Sequence, residues 1–268
     1  MQKVNAGFTI LTPISDGGIY ELNMLEQIAR TCYKSEAAIT EDGSSAKKLI
    51  GNLIKSGHEA MLEHMSISVR FIVDRGVSHE EVRHRLCSFA QESTRYVNYG
   101  SEKHGGQCKF IDINTGMELD VKMRGLTTRE KDEIYLEWEA AMKDAEAHYL
   151  RMIKLGATPQ IARSVLPNST KTEIVITTNY REWRTIFKLR SDMPAHPQMR
   201  EVMVPLLKEF KKRIPIVFDD ILPYWSVPLS TEGTLKEMLR IHDIVDSGDA
   251  VERKIPGADT TRKEIILQ

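Results

Sequence analysis

Residues 83–96 read RHRLCSFAQESTRY, a stretch with three arginines (Arg83, Arg85, Arg95), one histidine (His84), two serines (Ser88, Ser93) and a single acid, Glu92. That composition binds anions, because the planar arginine fork matches phosphate or carboxylate and hydroxyls can complete the cradle. Successive side chains point about 100° apart on a helix and to opposite sides of a strand, so Arg83, His84 and Arg85 must reach different partners. A solvated basic helix end that caps carbonyls has the same make-up, and charge alone does not separate the two.

Outward from this stretch, the chain alternates. Before it, MSISVRFIV (65–73) puts Met65, Ile67, Val69, Phe71 and Val73 on one face, which predicts a half-buried strand about 30 Å long. Glu63-His64 stands at its entrance, where a histidine can be structural or part of a site. After the Asp74-Arg75-Gly76 turn, Ser78 is placed to cap a short helix that runs through His79 to Val82 into the basic stretch. Farther upstream, FTILTPI (8–14) reads as a short strand. Leu25, Ile28, Ala29 and Cys32 predict a first helix from Leu22, and residues 45–56 a second that ends at Gly57.

Downstream, 97–127 is loop-rich, with five glycines around one short strand near Phe110-Ile111, and suits a lid or border to a site. From Thr128 to Leu155 one stripe carries Ile134, Trp138, Ala141, Met142, Ala145, Tyr149, Met152 and Ile153, a helical rod of about 40 Å. Thr158-Pro159 opens a helix of one or two turns. Thr170–Thr178 is a strand, 180–190 a helix, and Met199, Val202, Met203, Leu206 and Phe210 mark another helix, broken by Pro215. Residues 226–268 match no pattern and read as a C-terminal extension after a single domain of residues 1–225.

Composition bounds what such a chain can do. It has 268 residues, 41% hydrophobic and 28% charged, enough for one large core. Its formal net charge is -1, so the basic cluster is local, and a nucleic-acid-coating role is disfavoured. No window approaches the roughly 18 apolar residues of a membrane span, and MQKVNAGFTI lacks the plan of a signal peptide, so a cytoplasmic protein is expected. Cys32, Cys87 and Cys108 lack CxxC spacing, which predicts reduced thiols and no metal.

Two residues near the second strand carry more chemistry. Asn179 with Glu182 three residues on has the form of a capping box, and the amides freed at such a helix start also suit a phosphate. Trp183, Phe187 and Arg190 stand at i, i+4 and i+7, so Arg190 lies on the apolar stripe and needs an anionic or strongly accepting partner, a salt bridge or a ligand.

In its order of residues, the stretch 83–96 resembles the signature of flavin-dependent thymidylate synthases, in which R-H-R is followed by a serine eight residues after the last arginine and then x-R-Y. The likeness continues in Ala29-Arg30, Gly57-His58, Glu63-His64, the phrase ARSVLP at 162–167, and His196-Pro197-Gln198, where two residues are inserted around Met193-Pro194. It covers about residues 20–225. It implies an α/β fold of the α+β type, a twisted, mainly antiparallel sheet with long helices, assembled as a homotetramer with shared active sites.

The activity it implies is reductive methylation of dUMP to dTMP, with FAD as cofactor and NADPH and 5,10-methylenetetrahydrofolate as cosubstrates. Residue by residue, it implies flavin contacts at His64, Ser66, Arg83, His84, Arg85, Gln91, Asn179, Arg181, Thr185 and His196. It implies nucleotide contacts at Glu80, Arg83, Gln91, Ser93, Arg95, Arg163 and Arg190, with Arg190 activating the pyrimidine. Glu80 stands where many relatives have glutamine, and Thr185 where many have asparagine. No cysteine has a histidine base in an evident nucleophile arrangement, which suits a reaction carried by a flavin. Two other classes stay open: a non-catalytic flavin- or nucleotide-binding protein of this family, and an RNA-binding module built on the basic cluster.

Overall fold

The computed structural model describes residues 1–221 and the backbone of 224–228, 250–254 and 262–267. In chain order it builds β1 (Gln2–Val4), β2 (Gly7–Ile10), α1 (Ile19–Thr31), α2 (Ser44–Lys55), β3 (Ser66–Asp74), α3 (Arg75–Glu81), β4 (Ser88–Gln91), β5 (Lys109–Ile111) and α4 (Asn114–Leu119). There follow α5 (Thr128–Lys154), α6 (Pro159–Ala162), β6 (Lys171–Asn179), α7 (Tyr180–Arg190), α8 (Pro197–Arg213), β7 (Tyr224–Pro228), β8 (Ala250–Lys254) and β9 (Arg262–Leu267). Two compact units result: Met1–Thr9 with Val69–Ile176, and Ile10–Ser68 with Thr177–Gln268.

The main sheet has the strand order β2-β3-β6-β4. β3 and β6 run antiparallel: the Tyr180 N–H donates to the Met65 carbonyl, the Ser68 and Thr177 hydroxyls meet at 2.8 Å, and the Arg75 N–H donates to the Thr170 carbonyl. The period-2 pattern decides which face is buried. Ile67, Val69, Phe71 and Val73 of β3 and Thr172, Ile174, Ile176 and Thr178 of β6 are buried. Each large apolar side chain so removed from water stabilises by about 1.5–3 kcal/mol. The expected strand over 8–14 stops at Ile10. Leu11 and Thr12 both donate to the Ser68 carbonyl, Thr12 Oγ1 accepts the Ser68 N–H at 2.8 Å, and Pro13 has no N–H to offer.

In the first unit, β1 lies parallel to β5, with Gln2 opposite Lys109 and Val4 opposite Ile111. α5 begins at a complete capping box, in which Thr127 and Glu130 each accept the other's backbone N–H, an arrangement worth about 1 kcal/mol. Its apolar stripe meets a core of Tyr99, Cys108, Phe110, Met142, Tyr149 and Ala162, and Trp138 donates its indole N–H to Ser169 at 3.1 Å. Two expectations change here. α3 is capped by Asp74, whose carboxylate accepts the Val77 N–H at 2.6 Å, while Ser78 lies buried inside the helix. The stretch 97–127 also contains α4, a helix that the spacing of its glycines conceals.

In the second unit, α1 and α2 form one layer, and α7 and α8 enclose an aromatic cluster of Tyr180, Trp183, Phe187, Phe210 and Phe218, whose paired ring centroids lie 5.1–5.8 Å apart. Trp183 donates its indole N–H to the Ile67 carbonyl at 3.1 Å. Gly18 has φ +66°, and a Cβ there would fall 2.9 Å from the Arg213 carbonyl oxygen, so the turn before α1 requires glycine. α8 ends two residues before Pro215, consistent with the restriction a proline places on the residue before it. The strands of the C-terminal segment pair antiparallel in the order β7-β9-β8. The expectation for the rest of 226–268 lies outside the described residues.

Candidate active site

The signature stretch of the first unit leaves α3 as a turn and enters β4. Arg83 and Arg85 are exposed and His84 between them is buried, so the three side chains do diverge. β4 then delivers Gln91, whose amide donates to Ser78 Oγ at 2.9 Å and Thr172 Oγ1 at 3.3 Å. The next residue, Glu92, accepts from the Tyr99 hydroxyl at 3.0 Å and from Lys171 Nζ at 3.0 Å. Burial, and after it the Glu92 carboxylate, raises the Tyr99 hydroxyl well above its ordinary range.

The turn that follows carries the polar tip. Ser93 Oγ accepts the Arg95 N–H at 3.3 Å, and the exposed Arg95 guanidinium stands 5.4 Å from the Tyr96 ring centre. Thr94 is buried, and its hydroxyl accepts from Arg163 Nη1 at 3.1 Å. Arg163 is thus brought to the signature from 69 residues away. Glu80 sits half-buried on α3, one turn before the first signature arginine. Two cavities flank these residues within the unit. One of about 820 Å³ is lined by Gln91, Glu92, Tyr99 and Lys171 among others. One of about 330 Å³ is lined by Thr94 and Arg163 together with Arg75 and His79.

The second unit gathers a different set at the joined ends of β3 and β6, where the Tyr180–Met65 bond ties the strands. His64 and Ser66 are exposed there. Asn179 caps α7, its Oδ1 accepting the Glu182 N–H at 2.8 Å. Arg181 pairs with Glu63 at 2.6 Å, both side chains about half exposed. Thr185 is exposed one turn further along α7. His196 acts as the N-cap of α8 through Nδ1, which accepts the Gln198 N–H at 3.3 Å.

Arg190 is the last residue of α7 and half-buried, although the stripe it continues, Trp183 and Phe187, is fully buried. The fully buried arginine of that helix is Arg184, 1% exposed, which donates to Asp220 at 2.6 and 2.7 Å, to Glu59 at 3.0 Å and to the Val217 carbonyl. Burial works against its charge, and the two carboxylates outweigh it. Sequence reasoning missed this residue, yet Tyr180, Trp183, Arg184 and Phe187 stand at i, i+3, i+4 and i+7, a stripe that marks it. It also missed Tyr99 and Lys171, whose roles depend on partners far away in sequence.

A family profile described as "Thymidylate synthase complementing protein" (Thy1) matches residues 21–216. The flavin-dependent thymidylate synthase of Corynebacterium aurimucosum is 31% identical over 212 residues, 77% of this chain and 82% of that protein. The chain belongs to the flavin-dependent thymidylate synthase family. Similar flavin-dependent thymidylate synthases include that of Mycobacterium sp. (strain JLS), 31% identical over 75% of this chain and 80% of its own. That of Mycobacterium tuberculosis is 29% identical over 83% of this chain and 86% of its own. Among solved structures, a UMP/dUMP methylase, PolB from Streptomyces cacaoi bound with 5-Br dUMP, shares the fold with a TM-score of 0.66 at 23% identity, covering 82% of this chain and 96% of that one. Among the described residues no group of His, Cys, Asp or Glu is placed to hold a metal ion, and no helix is long and apolar enough to cross a membrane.

Each unit presents donors that suit the anionic groups of the flavin cofactor that the family name implies. In the first unit Arg83 and Arg85 are exposed cations suited to phosphate, and in the second Arg181, paired with Glu63, is another. Ser66 and His64 add exposed polar groups to the latter set. The Asn179 cap leaves the first amides of α7 at the same place.

Proposed function

We propose that this chain makes dTMP by reductive methylation of dUMP, with methylenetetrahydrofolate as carbon donor and NADPH as reductant. The observation that carries the reading is the bond from Arg163 to Thr94, which joins the second family phrase, ARSVLP, to the first inside one unit. Each phrase alone is short, and their juncture in three dimensions is what a nucleotide site built from both requires.

On this reading, His64, Ser66, Arg83, His84, Arg85, Gln91, Asn179, Arg181, Thr185 and His196 hold FAD. When bound, the flavin supplies the hydride that completes the methyl group. Glu80, Arg83, Gln91, Ser93, Arg95, Arg163 and Arg190 hold dUMP. Ser93 contributes a hydrogen bond to the nucleotide. Arg190 stabilises negative charge at the O2/N3 edge of the uracil, which raises electron density at C5 where the new carbon–carbon bond forms, a preorganised charge acting where charge develops.

One cysteine, Cys108, is taken out of contention as a nucleophile by its surroundings. Cys108 is buried in the core and its thiol is pushed up to about 12, by burial first and then by Glu146, so it is a poor nucleophile at neutral pH. Residues 1–225 act on this reading as the catalytic domain of a cytoplasmic homotetramer with shared active sites, and 226–268 as an extension to it.

The test is direct. Purified protein should be yellow, bleach with NADPH, and release tritium from 5-tritiated dUMP when methylenetetrahydrofolate is present. A colourless protein that does none of these defeats the proposal, and a yellow one that binds dUMP without releasing tritium is a non-catalytic binder.

A further inference from the structure

Two ionic rungs join α7 to the 3-10 helix Glu59–His64 that leads into β3. In the outer rung Arg181 meets Glu63 at 2.6 Å, with both side chains about half exposed. In the inner rung Arg184 meets Glu59 at 3.0 Å, and the arginine is shut off from water. Arg181 and Arg184 are three residues apart, so they lie on one side of α7, and each takes one glutamate of the facing turn. Ser66, farther on, follows a segment that main-chain and indole bonds already tie to α7, from Tyr180 to the Met65 carbonyl and from Trp183 to the Ile67 carbonyl. The turn before it is tied by charged side chains.

The inner rung is a poor device for stability. Nε of Arg184 is buried with no hydrogen-bond partner among the described residues, while its other nitrogens donate to Glu59, Asp220 and the Val217 carbonyl. Taking such a charge out of water is costly, and buried ion pairs replaced whole by apolar residues of similar volume often leave a protein no less stable. What a buried ionic set can supply instead is a fixed register between the elements it joins.

We infer that Arg184 is a positioning residue for the flavin site: through Glu59 it sets the turn 59–64 against α7, and so keeps Glu63 and His64 in register with Asn179 and Arg181. This rests on the proposed reading in which His64, Asn179 and Arg181 hold FAD. Arg184 is itself enclosed, so it acts through these residues and not on the cofactor. Its contacts with Asp220 and Val217 anchor the guanidinium to the segment after α8.

The experiment follows FAD release from the loaded full-length protein, by the rise of flavin fluorescence on dilution, beside thermal melts. Three variants are compared: Glu59→Ala, the double variant Arg184→Met/Glu59→Leu, and Asp220→Asn. The double variant removes the arginine together with its more buried carboxylate and leaves Asp220 half exposed to water, so it should melt close to the parent. Both variants that lack the Glu59 arm should release FAD about tenfold faster, the scale seen when groups that orient ligand-holding side chains are removed. The circular dichroism of the bound flavin should change with it. Asp220→Asn keeps an accepting oxygen for Arg184, so it should lose stability yet hold FAD as the parent does. Parental FAD release in both Glu59-arm variants overturns the inference. So does FAD release that tracks melting temperature across all three, the behaviour of a merely structural cluster. If the double variant does not fold, Glu59→Ala against Asp220→Asn carries the comparison. A parent that binds no FAD defeats the proposed function alone, since amide exchange over residues 59–66 in the same variants still reads the hold of Arg184 on the turn. Faster exchange there with α7 unchanged is expected, and unchanged exchange overturns the inference.

Discussion

Lys171 Nζ lies 3.0 Å from Glu92 Oε2 and 2.6 Å from Glu173 Oε1, a three-membered ionic group across residues 79 apart in sequence. Its position explains its role. Glu92 immediately precedes Ser93, and its backbone N–H also donates to the Glu173 carbonyl at 2.8 Å, so the exit of β4 into the signature turn is fixed by side chain and main chain together. Lys171 and Glu92 are mostly buried, and deleting the lysine leaves a carboxylate short of its partner.

Lys171→Met should therefore destabilise the protein by about 1–3 kcal/mol, the cost of an unmatched buried polar group. Chemical denaturation followed by circular dichroism measures it. A variant with parental stability would show that the Tyr99 hydroxyl alone holds Glu92.

The Arg184–Asp220 pair contributes to acid stability. Burial acts to raise the Asp220 carboxyl, but Arg184 outweighs it and the net displacement is below the ordinary value of 3.8. A depressed carboxyl contributes stability that is present above its unfolded value and lost as pH falls through its folded one. Asp220→Asn should lower the melting temperature at pH 7 and flatten the fall in stability below about pH 4. Melts from pH 2.5 to pH 7 check this, and an unchanged acid limb would discount the pair.

Arg190→Ala should keep FAD and its reduction by NADPH while losing on the order of a hundredfold in methylation, as for removal of one transition-state donor. Arg190→Lys should recover only part, since a point charge does not reproduce the planar fork. Turnover and flavin bleaching in the same sample separate the outcomes. Loss of bound FAD would instead make Arg190 a cofactor ligand.

Ser93→Ala should weaken dUMP binding by about 1–3 kcal/mol and retain measurable turnover, because only a hydrogen bond is removed. Steady-state kinetics beside equilibrium binding tests it, and complete inactivity at unchanged affinity would contradict the role.

Local periodicity made much of this molecule legible. The alternation through β3, the stripe of α5 and the bounds of α7 follow from residue spacing, and so does the Asn179 cap. What escaped depends on choices between neighbours or on distant partners. Ser78 and Asp74 were both competent caps, and the carboxylate nearer the chain reversal took the place. α4 is only six residues long and includes Gly116, too weak a pattern to stand out from a glycine-rich stretch. Within the site, the signature residues were readable as an anion-binding set, but the bonds from Arg163 to Thr94 and from Lys171 to Glu92 join segments that no local pattern connects. Arg190 had the right spacing for burial, and the helix ends with it before its side chain is enclosed.

Trp183 gives the second unit an optical gauge of its own. Its ring is shut off from water, stacked 5.6 Å from Phe187, and its N–H is held by the Ile67 carbonyl, whereas Trp138 of the first unit is partly exposed. Emission from Trp183 should be blue-shifted and resistant to iodide or acrylamide. In a protein with Trp138 and Trp225 both replaced by phenylalanine, a red shift during denaturation then times the loosening of α7 from β3, separately from events around α5.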